Sequence, residues 1–298
     1  MKNSALKWLD TELYPFEHRY ISLSSGKMHY IDEGQGDVIL FVHGTPTWSF
    51  LYRDFIKKLS KNYRCIAVDH LGFGLSDKPH VFAGRPQEHA QNLSDFIQQL
   101  DLQNITLVVH DFGGPIGLAA ALDQPDRIKQ VVLFNTWLWE TASNPAVKKI
   151  DKIARSWLGK LLYLNLNFSP KVLLKKGFND KKVLSQNIHQ HYISPFPTKD
   201  SRHSLLRLAE SLGGSSAWYQ EQWEKLDRLS EKPWLILWGT KDEFITTDYL
   251  NRWTNRLPQA EVKTWGCGHF LQEERTDETI VALESFLVQE KANANNYA

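Results

Sequence analysis

The sequence predicts an α/β architecture: a mostly parallel central sheet flanked by helices on both faces, with a helical segment inserted in its second half. Three observations predict it. Short, continuously apolar runs at residues 38–42, 105–109 and 131–134 suit strands buried on both faces. Stretches with helical spacing lie between them, and such alternation gives a parallel sheet. The alternation stops near Trp137 and resumes at Trp234.

The elements follow in order. Residues 20–24 and 27–32 read as two strands joined through Ser25 and Gly26, a hairpin. The run 38–42 is the first buried strand, and a helix is expected over 50–59 before a strand at 65–68. Residues 87–100 place Leu93, Phe96, Ile97 and Leu100 at helical spacing. The strand at 105–109 is followed closely by a helix over 115–122, then by the strand at 131–134. From 137 to 229 strand character is scarce. Leu205, Leu208 and Leu212 recur at helical spacing there and end at Gly213-Gly214, a stop signal. Strands return at 234–237 and 261–264, and a helix over 279–288 closes the chain before a tail at 292–298. Residues 1–136 and 230–298 are thus expected to form the core, and 137–229 a helical cap.

With 298 residues, 42% hydrophobic and 23% charged, the chain can build one large domain with an insertion. A formal net charge of +1 argues against a nucleic-acid partner, which needs a basic surplus to neutralise phosphates. Residues 1–10 lack the apolar run of a signal peptide, and no segment approaches the roughly 20 apolar residues of a membrane span. Two cysteines, Cys65 and Cys267, demand no disulfide, so a cytoplasmic location is expected. The lysines between Lys148 and Lys182 read first as solvated helix faces. A basic surface that draws in anionic substrates ranks second and membrane-surface docking third, and no membrane partner is expected.

The segment Val108 to Pro115 ends a strand and starts a helix within a few residues, with Asp111 at the apex of the turn. A side chain there stands above the C-terminal edge of the sheet, where α/β proteins bind ligands. An aspartate at such a place could be a plain helix cap. Three further segments decide otherwise. His43-Gly44-Thr45-Pro46 follows one strand and can aim a backbone N–H at the same point, which with the N–H of Phe112 makes an oxyanion hole. Gly239-Thr240-Lys241-Asp242 brings a carboxylate, and Gly266-Cys267-Gly268-His269 an imidazole. Nucleophile, acid, histidine is the chain order of the α/β-hydrolase fold.

These segments resemble the signatures of haloalkane dehalogenases, in the wider group that includes epoxide hydrolases. The similar stretches are His43-Gly44-Thr45-Pro46-Thr47-Trp48-Ser49-Phe50-Leu51-Tyr52-Arg53, Asp69 to Pro79, Val109 to Gly114, and Gly268-His269-Phe270-Leu271-Gln272-Glu273. Pro195-Phe196-Pro197 in the insertion is also similar, although most of the insertion matches only loosely. The resemblance implies hydrolysis of a small apolar electrophile by water, with Asp111 as nucleophile, His269 as base and Asp242 as the acid that orients it. No cofactor and no metal are implied. A carboxylate is ionised near neutral pH and can displace a leaving group from saturated carbon without a base. His269 then activates the water that cleaves the ester. The family also places the acid one strand earlier, but Asn135-Thr136 offers no carboxylate there; Glu140 and Glu243 are fallbacks that read first as surface charge. His110 is expected to be a structural hydrogen-bonding histidine.

One residue departs from the family pattern. Tryptophan normally follows the nucleophile and its ring N–H steadies the departing halide; here the residue is Phe112, which has no donor. A second donor is often asparagine in the first signature, and Thr45 stands there. Candidate replacements and pocket residues are Trp48, Trp137, Trp139, Tyr163, Tyr192 and Tyr219, with Trp218 and Trp223 also late in the insertion. Taken singly, each ring reads first as packing. Epoxide hydrolysis, which would need an acidic hydroxyl from a tyrosine, is the second reading. A β-lactone decarboxylase-like enzyme and a non-catalytic receptor on the same fold follow.

Overall fold

The computed structural model describes residues 6–296, with side chains to residue 289. Eight strands form one sheet: β1 (Arg19–Leu23), β2 (Gly26–Glu33), β3 (Val38–Val42), β4 (Arg64–Val68), β5 (Ile105–Asp111), β6 (Ile128–Thr136), β7 (Trp234–Gly239) and β8 (Glu261–Trp265). Their spatial order is β1-β2-β4-β3-β5-β6-β7-β8. β1 and β2 form the expected hairpin, with Leu23 opposite Gly26, and β2 runs antiparallel to β4. All other neighbours are parallel. β3 and β7 are buried along their whole length, which is why they read as unbroken apolar runs.

Apolar side chains from the two faces of the sheet build two separate cores. One holds Leu93, Phe96 and Ile97 of α2 (Pro86–Gln99) with Ile116, Leu118 and Leu122 of α3 (Gly113–Asp123). The other takes Phe55, Ile56 and Leu59 of α1 (Arg53–Leu59) with Ile280, Leu283 and Phe286 of the closing helix. Strands with alternating faces require such covering on both sides.

Between β6 and β7 the described residues form helices and no strand. They include α4 (Pro145–Ala154), α5 (Trp157–Lys160), α6 (Leu174–Gly177), α7 (Gln186–Ile193), α8 (His203–Gly214) and α9 (Ser216–Glu224). Side-chain caps start several of them: Asn144 accepts from the Ala146 N–H and Ser185 from the Ile188 N–H. The Arg202 guanidinium donates to the carbonyls of Leu164, Asn165, Phe196 and Pro197, pinning loop backbone that lacks ladder partners.

Three readings of the sequence are adjusted. The helix expected over 50–59 is a 3-10 turn at Ser49–Tyr52 leading into α1. A helix not foreseen, α10 (Thr247–Arg256), joins β7 to β8 and buries Leu250 and Trp253. α11 (Leu271–Glu274) precedes α12, which runs Thr276–Asn296, so most of the expected tail continues the helix. Residues 297 and 298 of that tail, and 1–5 of the amino-terminal segment, lie outside the described residues.

Candidate active site

β5 ends on Asp111, whose φ of 52° lies in the left-handed region. α3 begins two residues later, so the chain turns sharply and the carboxylate stands at the top of the sheet. The turn presses against β3: a Cβ on Gly113 would sit 2.2 Å from the Val42 carbonyl oxygen. On its other side the Thr136 hydroxyl, at the end of β6, donates to the Asp111 carbonyl at 2.6 Å. The carboxylate is held as well. Its Oδ1 accepts the Thr45 N–H at 2.8 Å, and a Cβ on Gly44 would come within 2.2 Å of that same oxygen.

β7 and β8 supply the other two groups. His269 directs Nε2 toward Asp111 Oδ2 at 3.6 Å, and its Nδ1 lies 2.6 Å from Asp242 Oδ2. Asp242 is buried and saturated with donors: Oδ1 accepts the Phe244 and Ile245 N–H groups, Oδ2 the Asn135 amide at 2.9 Å. Asn135 in turn accepts the Gly239 N–H at 2.8 Å, which ties the end of β6 to the end of β7. The backbone of His269 is fixed from two sides, its N–H donating to the Gly177 carbonyl of α6 and its carbonyl accepting from His110 Nε2 at 2.9 Å.

Charge follows from this packing. Burial alone would lower the proton affinity of His269, but Asp242 and Asp111 outweigh it and raise the imidazole pKa to about 10. Burial would raise Asp242, yet His269 and the N–H donors hold it below the ordinary carboxylate range. The two acidic side chains therefore favour the proton on His269. Burial also takes His110 down to about 3, which keeps it a neutral donor.

Above Asp111 lies a cavity of about 370 Å³, floored by Thr45, Asp111, Phe112 and His269. Its walls come mostly from the insertion, among them Val147, Ile150, Leu162, Leu173, Leu205 and Leu212. Two residues lining it carry buried polar atoms with no hydrogen-bond partner: Thr45, at Oγ1, and Trp137, at Nε1. Among the described residues no cluster of His, Cys, Asp or Glu suits a metal ion.

The family model described as "alpha/beta hydrolase fold" matches residues 37–276. Haloalkane dehalogenase 2 of Mycobacterium tuberculosis is 35% identical over 277 residues, covering 92% of this chain and 96% of that protein. The cis-3-alkyl-4-alkyloxetan-2-one decarboxylase of Shewanella oneidensis is 34% identical over 292 residues, covering 94% and 91%. The solved haloalkane dehalogenase DatA from Agrobacterium tumefaciens superposes with a TM-score of 0.83 at 26% identity, over 92% of this chain and 97% of that one. The chain belongs to the haloalkane dehalogenase-like α/β hydrolases.

Within this dehalogenase-like frame the residues singled out from sequence fall into two groups. Asp111, His269 and Asp242 converge beside the N–H of Thr45, with His269 hydrogen-bonded to Asp242 and within 3.6 Å of Asp111. Phe112 packs edge-on against Trp137, ring centroids 4.9 Å apart, and Trp137 and Tyr163 both line the cavity. The other rings do not line it. Trp48 is buried in the second core, its ring N–H donating to the His191 carbonyl. Trp139 packs against Trp223 and Trp253 with the Arg252 guanidinium over its face. Tyr192 donates to Glu273, and Tyr219 to the Ser211 carbonyl, so both hydroxyls are taken. Trp218 and Trp223 are packed partners of the first core.

The sequence reading of this dehalogenase-like chain passed over four contributors. Asn135 and Thr136 were noted only for lacking a carboxylate, yet one orients Asp242 and the other the Asp111 backbone. Arg53 and Glu273 belong to the quoted signatures, and they form a buried two-pronged ion pair at 2.6 and 2.7 Å. It braces the segment after His269 against α1.

Proposed function

We propose that the chain hydrolyses haloalkanes through an alkyl ester on Asp111. The observation that carries this reading is the unpaired, buried indole N–H of Trp137, packed against Phe112 beside the nucleophile. It supplies the donor that Phe112 lacks, and the Thr45 hydroxyl is a second. Asp111 Oδ1 is engaged by the Thr45 N–H, which leaves Oδ2 to attack carbon in line as the C–halogen bond breaks. The halide leaves with the bonding electrons toward Trp137.

Esterification removes the Asp111 charge, and with it part of what holds the proton on His269. His269 releases that proton to solvent. The neutral imidazole then takes a proton from water as the water oxygen adds to the ester carbonyl, and returns it to the leaving alkoxide. The N–H groups of Thr45 and Phe112 stabilise the oxyanion, the alcohol departs, and Asp111 is regenerated. Asp242 keeps the ring oriented throughout. Residues 137–229 act as a cap that walls the site from bulk water. Two free buried thiols fit a cytoplasmic enzyme.

A second reading takes support from the Shewanella relative. Opening a β-lactone at its alkyl carbon expels a carboxylate, which the same two donors suit. Epoxide opening ranks below both, because it needs an acid. Tyr163 is the one expected tyrosine on the cavity, and burial raises its pKa to about 12.

The experiment is product analysis with 1-bromobutane, a cis-3,4-dialkyl-oxetan-2-one and styrene oxide. Bromide release that disappears in Asp111→Asn, together with an alkyl adduct in the intact mass of His269→Ala, is the expected result. Alkene and carbon dioxide without bromide would replace the first reading by the second.

A further inference from the structure

The segment from residue 145 to residue 182 carries ten basic and two acidic side chains, a net charge of +8, whereas the rest of the chain carries 25 basic and 32 acidic, net −7. Of its nine lysines only Lys176 forms an ion pair, with Glu243, among the described residues. The same stretch holds Ile150, Ile153, Trp157, Leu158, Leu161, Leu166 and Val172 exposed, and Trp157 is 76% exposed. Soluble surfaces scatter such residues singly, and a contiguous group marks an interaction site. Ile150 and Ile153 also line the cavity above Asp111, as does Leu162. The apolar surface therefore runs into the mouth of the site.

We infer that this face of α4, α5 and the turn after them docks on the surface of an anionic lipid bilayer. Apolar side chains amid lysines, with a protruding tryptophan, are the composition of a segment lying in the membrane interface. Phosphate headgroups complement the lysines, and the acyl layer covers Trp157 and the leucines. A second copy of the chain fits less well, since it would press one +8 surface against another. Docking is peripheral: no described helix is long and apolar enough to cross a membrane. It revises the expectation that the chain meets no membrane. If the hydrolase reading holds, an apolar substrate passes from the bilayer into the cavity without crossing water. The docking itself does not depend on which leaving group is expelled.

The test is vesicle flotation of the full chain, with phosphatidylcholine alone and with phosphatidylglycerol added, alongside sedimentation velocity. Wild type should float with the anionic vesicles only and be released by salt. Trp157→Ala, and separately Lys149→Glu with Lys152→Glu, should each weaken partitioning by about tenfold or more. Both variants should turn over a short water-soluble substrate at the wild-type rate, since none of these residues lines the cavity. Failure of wild type to float, or equal flotation of the variants, overturns the proposal. So does a dimer that Trp157→Ala dissociates, which would assign the face to self-association. Flotation reads binding, so it can succeed or fail whatever the product analysis returns.

Discussion

At Trp137 a buried N–H without a partner is a free-energy liability of about 1–3 kcal/mol in an otherwise packed site. On the proposed reading the liability is relieved when the halide forms beside it, so it would act on the transition state. Trp137→Phe should therefore slow leaving-group expulsion a hundredfold or more, about 3 kcal/mol by comparison with other lost anion donors. The loss should be larger for chloride than for iodide, so the ratio of kcat/KM for matched chloro- and iodoalkanes is the measurement. An equal loss for both would mean the ring only shapes the cavity. A second residue-scale outcome concerns His269. Asp111→Asn deletes one of the two carboxylates that raise its pKa, so the imidazole should titrate lower in the variant, read by NMR. At this scale sequence gave residue types but not directions. Trp137 and Trp139 are two apart just beyond β6, where strand alternation no longer dictates which way a ring points. One meets the cavity and the other a cluster with Trp223 and Trp253.

Elements meet at two polar joints. Asn135 joins β6 to the loop after β7, and Asn135→Ala would leave the Gly239 N–H and one Asp242 lone pair short of a partner. A stability loss of about 1–3 kcal/mol is expected from chemical denaturation, with kcat falling more than KM rises, because the misplaced group is Asp242. The second joint is the Arg53–Glu273 pair, to which Tyr192 of α7 also donates. Arg53→Ala should cost about 3–5 kcal/mol by leaving a buried carboxylate unpaired, and Arg53→Met with Glu273→Leu should recover much of it. Most elements were legible because buried parallel strands are continuous apolar runs. Helix α10 was not: Thr247–Arg256 is amphipathic, but it is mostly polar and buries only Leu250 and Trp253, too few apolar residues to mark a helix among loop-like neighbours. The polar joints were also invisible. An asparagine and a threonine at a strand end are bland until the neighbouring strands are in place.

For the whole molecule, buried titratable groups set the pH range of stability. Burial keeps His70 well below its ordinary pKa and takes His89 to about 3, as it does His110. Each binds a proton more readily in the unfolded chain. Stability is therefore full above about pH 6.5 and falls as the pH drops toward about 3, by up to roughly 1.4 kcal/mol per pH unit for each group. Asp69 adds a lower window. Burial opposes its charge but the His29 imidazole outweighs that and holds it at about 2, so its contribution is lost only as the pH falls below about 3.8. His269 has the opposite sign: its contribution is full below about pH 6.5 and fades as the pH rises to about 10. Denaturation midpoints across this range should peak near neutrality, and a flat profile would contradict the buried neutral histidines. The cavity belongs to this scale too. Its walls come from an insertion whose sequence shows helices but not how they lie on the sheet.

The glycine beside the nucleophile has a bearing on how such an enzyme could change. A Cβ at position 44 would push into the Asp111 carboxylate itself, and one at position 113 would push the nucleophile turn off the Val42 carbonyl of β3. Saturation libraries there should return only the parent residue. New specificities would have to be sampled at positions 45, 112 and 137 and along the insertion, so the molecule divides into a frozen reaction centre and a freely explorable rim.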